Sequence, residues 1–342
     1  MHSTHTKVFE DAITVVPLSS YTYSANLNSG WSIGDVPHGG YLAAVLYRLV
    51  CTHFKHNHPR RHAGHAAPIS MQLSFVRRSN VGPAHLEVKE IKLGSRVSTV
   101  NVTLYQRSQS SSEQMVKLTG LVTISSLREE AGLSVPFNCA LDTVPEIPTL
   151  TSCQTSKGAA AALWKLVEIP HPEFRKATGH VETYVRHKNS QAFQRHGISE
   201  QWTRLGWKQD DENVTGRWTN EAAAFLLDVF PSALAKLESQ LQSEIGTYQP
   251  VWFPTLTMNI DFKKEIPEGG EEWLYSSVAM KQIKNGRTDI QVVLRDALGE
   301  LIALASQAGL VMSSDRNSTG PQRTAPEKLR RNSVYEVENV KL

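Results

Sequence analysis

Three residues in the second half of the chain place polar groups where the surrounding pattern is apolar. Asp228 lies in Phe225-Leu-Leu-Asp-Val-Phe230, within a helical periodicity. A carboxylate between bulky apolar side chains is costly unless it is paired or exposed. At helical spacing it shares a face with Ala224, Ser232 and Ala235, which leaves room for a ligand. A surface acid on the solvent side of the helix accounts for the pattern equally well. Thr255 opens Thr255-Leu-Thr-Met-Asn-Ile-Asp-Phe262, and strand alternation puts it on one face with Thr257, Asn259 and Asp261. A lone threonine at a strand end would be unremarkable on its own, because its branched side chain suits a strand. Gln307 lies in Leu301-Ile-Ala-Leu-Ala-Ser-Gln-Ala-Gly-Leu-Val311, on a face with Ala303, Ala305 and Gly309. Such small neighbours suggest close approach by another group, and an exposed glutamine beside a sheet edge is the alternative. The three supply a proton acceptor, a hydroxyl and a primary amide.

An internal repeat sharpens the choice. Ile69-Ser-Met-Gln-Leu-Ser-Phe75 matches Leu256–Phe262 position by position as apolar, hydroxyl, Met, amide, apolar, polar, Phe. Basic residues follow both, Arg78 after the first and Lys263-Lys264 after the second. Each copy continues with a strand pattern, a turn and a further strand. In the first these are His85–Ile91, Gly94-Ser-Arg96 and Val97–Tyr105; in the second, Trp273–Met280, Asn285-Gly-Arg287 and Thr288–Leu294. Both close on Gly-Leu-Val, at 120–122 and 309–311. Counting along the repeat, Pro68 corresponds to Thr255 and Leu118 to Gln307, while Asp228 falls against Ala44–Leu46. All three polar positions are therefore apolar or proline in the first copy. Polarity required by the common fold would tend to occur in both copies, so a site kept in one copy explains the asymmetry better.

The first copy has its own feature, Trp31-Ser-Ile-Gly-Asp-Val-Pro-His-Gly-Gly-Tyr41. Gly39 and Gly40, after His38, stand where a helix begins. Free backbone N–H groups there carry positive dipole character, and glycine permits a ligand to come close. A tight turn into a packed helix is the plainer reading.

These residues need elements to hold them. A helix is expected in each half. The first runs from Gly39 to His53, with Tyr41, Leu42, Val45, Leu46, Leu49 and Val50 at helical spacing. The second is capped at Asn220, with Ala223, Leu226, Leu227, Phe230 and Leu234 as its apolar stripe. Short strands precede each helix, at Ala12–Pro17 and Tyr21–Leu27, then His180–Arg186 and Trp202–Trp207. The strand face formed by Leu256, Met258, Ile260 and Phe262 should cover the helix. Asn285-Gly286 predicts a tight hairpin, because both residues tolerate positive φ. Each half is thus an antiparallel sheet wrapped around a long helix. The fold class is α+β, a double hotdog: residues 1–126 form the first unit and 178–313 the second, which carries the site. The Pro-, Thr- and Ser-rich stretch 127–177 reads as a linker with one helix near Ala159–Val167, and 314–342 as a disordered tail.

Composition narrows the function classes. The chain has 342 residues, enough for two medium domains. No run approaches the ~18 apolar residues of a membrane span. A net charge of +3 with His neutral is too mild and dispersed for nucleic acid, though it suits a ligand carrying phosphates. Cys51, Cys139 and Cys153 are too widely spaced for a disulfide framework or zinc site. The histidine-rich tract His53–His65 contains no cysteine or carboxylate, so it reads as a basic connection after a helix, and no metal or cofactor is expected. No serine-elbow motif is present.

The ordered set of motifs resembles the acyl-CoA thioesterase II (TesB-like) double-hotdog enzymes, fungal thioesterase-like proteins of secondary metabolism among them. The likeness rests on Trp31 to Tyr41, on Asp228 late in the second helix, and on Thr255 seven residues before Phe262-Lys263. It rests also on Asp296, Gly299, Ala303 and Gln307 in the closing strand. It spans about Tyr21 to Met312 without the linker. The resemblance implies that Asp228, Thr255 and Gln307 hold and activate a water that attacks an acyl-CoA or other acyl-thioester carbonyl. On that basis His38, Gly39 and Gly40 would meet the oxyanion or substrate, and basic side chains would meet the CoA phosphates. One departure is that Thr257 and Met258 stand where family members often have Asp-His. Two other readings remain open: a hotdog hydratase or dehydratase, which would need a helix-borne His near an Asp, and a non-catalytic acyl-thioester-binding or interaction module. A cytoplasmic location is expected, Val340-Lys-Leu342 being a weak echo of the peroxisomal Ser-Lys-Leu address, and self-association is left open.

Overall fold

The computed structural model describes residues 6–108, 113–135, 144–148, 164–169, 171–186, 197–209, 212–245 and 251–313. The expected tail, and the part of the expected linker helix before Trp164, lie outside these residues.

The first unit contains helix α1 (Thr6–Ala12) and the long helix α2 (Gly39–Asn57). Its strands are β1 (Val15–Pro17), β2 (Thr22–Leu27), β3 (Ala67–Phe75), β4 (Gly82–Lys92), β5 (Ser98–Arg107) and β6 (Gln114–Ser125). The second contains β7 (Trp164–Leu166), β8 (Val181–Arg186), β9 (Ile198–Gln209), helix α3 (Asn220–Leu226) and helix α4 (Pro231–Ile245). It continues with β10 (Thr255–Phe262), β11 (Trp273–Ala279), β12 (Arg287–Arg295) and β13 (Leu301–Leu310). These strands form one antiparallel sheet in the order β1-β2-β4-β5-β6-β3-β10-β13-β12-β11-β9-β8-β7, with two short strands added at its side.

The order is nearly symmetric about the β3–β10 pair. Those two strands are the segments that match in the sequence, and they pair with each other. Gln72 lies opposite Asn259, Met71 opposite Ile260 and Leu73 opposite Met258. Because Gln72 and Asn259 are also equivalent positions of the repeat, a local two-fold passes between them. The sheet runs without a break from one unit into the other, and the Asn285-Gly286 turn has positive φ at both residues (53° and 70°) between paired strands.

The sheet wraps around α2 and α3, which explains why α2 is buried on nearly all sides from Gly40 to Val50. The two helices touch at Gly40. A Cβ there would fall against the Phe225 carbonyl oxygen and 2.7 Å from Asp228 Cβ. The glycine that could admit a ligand instead admits a neighbouring helix.

Four expectations need correction. The second helix is capped by Thr219, whose hydroxyl accepts from the Ala222 amide, and not by Asn220. It is also not continuous: α3 ends at Leu226, and Asp228 and Val229 make i→i−3 hydrogen bonds before α4 begins. Pro231 imposes this, since it disfavours helical backbone before it and suits the first position of a new helix. Trp164–Leu166 is a strand paired with β8, where a linker helix was expected. Finally, a bulge between Thr255 and Thr257 breaks the alternation of β10. Leu256 is therefore 38% exposed and leaves the core face that Met258, Ile260 and Phe262 keep. Helix α1 carries no signal in the sequence strong enough to have been read; its Phe9 packs edge-on against Trp31 at 4.8 Å.

Candidate active site

The break between α3 and α4 shapes the site. It leaves the Leu227 carbonyl without a continuing helical partner, and the Gln307 amide donates to it at 3.0 Å. Gln307 is buried on an interior strand, β13, between β10 and β12. The edge-strand reading is therefore excluded. The same bend turns Asp228 toward the N-terminus of α2. Asp228 Oδ2 accepts from the Gly40 amide at 2.8 Å across 188 residues of sequence. His38, the cap residue of α2, makes no side-chain cap of its own. Asp228 thus caps α2 from the other half of the molecule.

Asp228 is buried, not a solvent-facing acid. Burial raises its pKa, and the neighbouring His38, the Gly40 amide and the Gln307 side chain oppose that rise. His38 Nδ1 stands 3.6 Å from Asp228 Oδ2 and is buried with no hydrogen-bond partner among the described residues. Burial lowers the His38 pKa, with Asp228 opposing. A carboxylate moved up from its ordinary range is better matched to taking a proton near neutral pH.

Thr255, Asp228 and Gln307 line one cavity of about 340 Å³, together with His38 and Gly39. The bulge brings Thr255 there, while Thr257 and Asn259 are exposed. Gly309, opposite Thr255 in the strand pair, has the Pro254 carbonyl and the Thr288 hydroxyl 3.3 Å from where a Cβ would stand. Apolar walls come from both halves: Leu42 and Phe75 from the first, Phe230, Trp252 and Ile290 from the second.

Within the Trp31–Tyr41 motif, Ile33, Val36 and Pro37 also line the cavity, while its two end residues are structural. Trp31 is buried and stacks on the His180 ring at 4.1 Å, and the Tyr41 hydroxyl donates to the Ala12 carbonyl at 2.6 Å. Asp296 and Gly299 form the hairpin turn before β13, with Asp296 accepting from the Leu298 and Glu300 amides at 2.9 Å each.

Sequence reasoning did not single out Arg77, which lines the cavity beside Arg78. The repeat held a signal, because both copies follow their Phe with basic residues. In the second copy those residues are spent on carboxylates: Lys263 pairs with Asp261, and Lys264 with Glu300 and, at 2.6 Å, with Asp296. Alignment of the helix starts also moves the counterpart of Asp228 from Ala44–Leu46 to Tyr47.

Two hotdog units share one sheet around paired helices, and Asp228, Thr255 and Gln307 face an apolar cavity at their junction. The profile of the acyl-CoA thioesterase N-terminal domain matches residues 27–125, and that of the C-terminal domain matches residues 154–311. The chain belongs to the acyl-CoA thioesterase family and is a thioester hydrolase. It is 29% identical over 343 residues to thioesterase-like protein TwmA of Talaromyces wortmannii, covering 91% of this chain and 94% of that one. Its fold is similar to that of a Thermobifida fusca protein assigned as a thioesterase II (TM-score 0.64, 22% identity, 88% of this chain and 98% of that one). It is similar also to acyl-CoA thioesterase II TesB2 of Mycobacterium marinum (TM-score 0.56, 14% identity, 92% and 99%). No helix among the described residues is long and apolar enough to cross a membrane.

Proposed function

We propose that Asp228, Thr255 and Gln307 activate the water that hydrolyses an acyl-CoA thioester. The observation that supports this is their convergence on one cavity from a helix break, a bulged strand end and an interior strand. Thr255 and Gln307 position the water, and Asp228 takes its proton as the oxygen bonds to the thioester carbon. The resulting oxyanion needs a donor. The Gly40 amide already serves Asp228, so the Gly39 amide, first in α2 and lining the cavity, takes that role. As the tetrahedral species collapses, the C–S bond breaks and the proton passes from Asp228 to the departing thiolate. The products are a free acid and a free thiol.

The cavity is near the small end of the ~300–1,000 Å³ range of ligand pockets. It suits a short or branched acyl group with the pantetheine end, the nucleotide lying outside near Arg77 and Arg78. Guanidinium groups recognise phosphates through paired hydrogen bonds. The test is a panel of acyl-CoA substrates of varied length and branching, with free thiol as the readout. Short and branched chains should give the highest kcat/KM. A monotonic rise toward long chains would refute the size argument.

A further inference from the structure

The end of α2 remote from the cavity holds a second polar cluster, which hydrolysis does not use. His53, fully buried, points Nε2 at Glu90 Oε1 of β4, 3.0 Å away. His58, at the exit of α2, points its own Nε2 at the same oxygen, 2.6 Å away. The tract His53–His65 contains no carboxylate, and the fold supplies one from β4.

The geometry points to a divalent transition-metal site, Zn²⁺ being the best fit, formed by His53 Nε2, His58 Nε2 and Glu90 Oε1. The three atoms all lie within 4.8 Å of one another. Bonds of ~2.0–2.1 Å in tetrahedral geometry would set neighbouring ligand atoms ~3.3 Å apart. The contacts to Glu90, at 3.0 and 2.6 Å, would therefore open by about 0.3 and 0.7 Å to reach that spacing. Two imidazoles with one carboxylate suit zinc, and a solvent molecule would complete four-coordination. His58 and Glu90 retain about a fifth of their side-chain exposure (21% and 18%), which gives the ion a way in.

The groups around His53 fix its orientation. The Tyr23 hydroxyl donates to the Ser20 carbonyl at 3.1 Å, which turns a lone pair toward His53 Nδ1 at 2.9 Å. The Asn57 amide nitrogen lies 2.7 Å from Ser20 O, 3.2 Å from Tyr23 Oη and 3.1 Å from His53 Nδ1. These contacts hold Nδ1 on the Tyr23–Asn57 side of the ring and turn Nε2 toward Glu90. The tautomer with its proton on Nδ1 leaves Nε2 free to ligate an ion beside the Glu90 carboxylate. A proton bridges one such pair, whereas a metal ion engages both imidazoles and the carboxylate together. A hydrogen-bonded partner on the second imidazole nitrogen is the usual support of a metal-ligating histidine. Placed here, the ion ties the C-terminal end of α2 to β4, ~20 Å along the helix from Gly40. Its role is structural.

The test uses the full chain, stripped with a chelator and dialysed. Titration calorimetry with ZnCl₂ should show one ion per chain, with a Kd of ~1 μM or tighter. Thermal unfolding should move up by roughly 5 °C at hundredfold excess over Kd. His58→Ala and Glu90→Gln should each weaken binding at least ~10-fold while thioester hydrolysis by the metal-free chain is retained. Co²⁺-loaded wild-type protein should show the intense visible bands of a four-coordinate ion, a readout independent of variant folding. Absence of binding, retained affinity in both variants, or a Co²⁺ spectrum like that of the aqueous ion would overturn the site.

Discussion

Asp228 admits two explanations, and one pair of substitutions separates them. It caps α2 through the Gly40 amide, and we propose that it also takes a proton from water. The capping role alone could explain why the acid occurs in only one repeat. Helix α3 caps itself with Thr219, and α2 has no side-chain cap of its own. Asp228→Asn keeps an oxygen able to accept from the Gly40 amide and removes the base. The loss of charge at a helix N-terminus costs about 0.3–1 kcal/mol. Relief from burying a carboxylate offsets part of that, so stability should stay within ~1 kcal/mol of wild type. Asp228→Ala loses the acceptor as well, costing a further 1–2 kcal/mol or so. On the catalytic reading Asp228→Asn lowers kcat by ~10²–10⁴-fold, or about 2.7–5.4 kcal/mol of barrier. The assay pairs chemical denaturation with acyl-CoA hydrolysis on the same preparations. Full activity in Asp228→Asn, with both stability and activity lost in Asp228→Ala, would leave capping as the whole role.

Thr255→Val and Gln307→Ala should each reduce kcat less than Asp228→Asn, and their double variant should lose less than the product of the single effects, since both act on one water; strictly multiplicative losses would argue for separate roles. Burial raises the Asp228 pKa in the folded chain, so the stability of the protonated form is fully present below the ordinary Asp range, ~3.9, and is lost as pH rises through the folded value. The melting temperature of wild type relative to Asp228→Asn should therefore fall from about pH 4 upward, and a flat difference would contradict the assignment. Gly40→Ala should destabilise by ~1–3 kcal/mol or more, because its methyl group meets helix backbone that cannot move aside; an unchanged denaturation midpoint would show that α2 and α3 can part. Replacing Arg77 and Arg78 with alanine should raise KM for acyl-CoA, and less so for the matching N-acetylcysteamine thioester, which has no phosphates; equal effects would exclude phosphate recognition.

The repeat made the fold legible. Two copies of one strand motif, each followed by the same hairpin series, leave few arrangements other than paired sheets. Asp228 and Gln307 were legible because each interrupts an apolar face, and interruption is a local property. What lay beyond the sequence was long-range. Gly40 invites the reading of ligand access, and only the packing of α3 shows what comes close. A bulge shifts backbone register without changing residue order, so alternation placed Thr255 with Thr257 and kept Leu256 on the core face. The apolar stripe was followed through Pro231, although the proline itself signals a helix start. The basic residues after each Phe look alike in sequence, yet carboxylates on neighbouring turns and strands neutralise Lys263 and Lys264. Glu90 is 32 residues from His58, so no reading of the histidine tract alone could include it.

The strand pair centred on Gln72 and Asn259 would, in two separate chains, be an ordinary dimer contact, open to dissociation on dilution. One polypeptide holds both partners at an effective concentration on the order of millimolar, so the cavity built from both halves should outlast any dilution an assay requires. Fusion also releases each half from having to be identical to the other. The place related by the two-fold to the Asp228–Gly40 contact shows the result: buried Tyr47 stands for Asp228 and Glu221 for Gly40, and Glu221 pairs with Arg48, the residue after Tyr47. A tight-binding active-site inhibitor should accordingly titrate to one equivalent per polypeptide, half the number its architecture would offer if both halves had stayed alike.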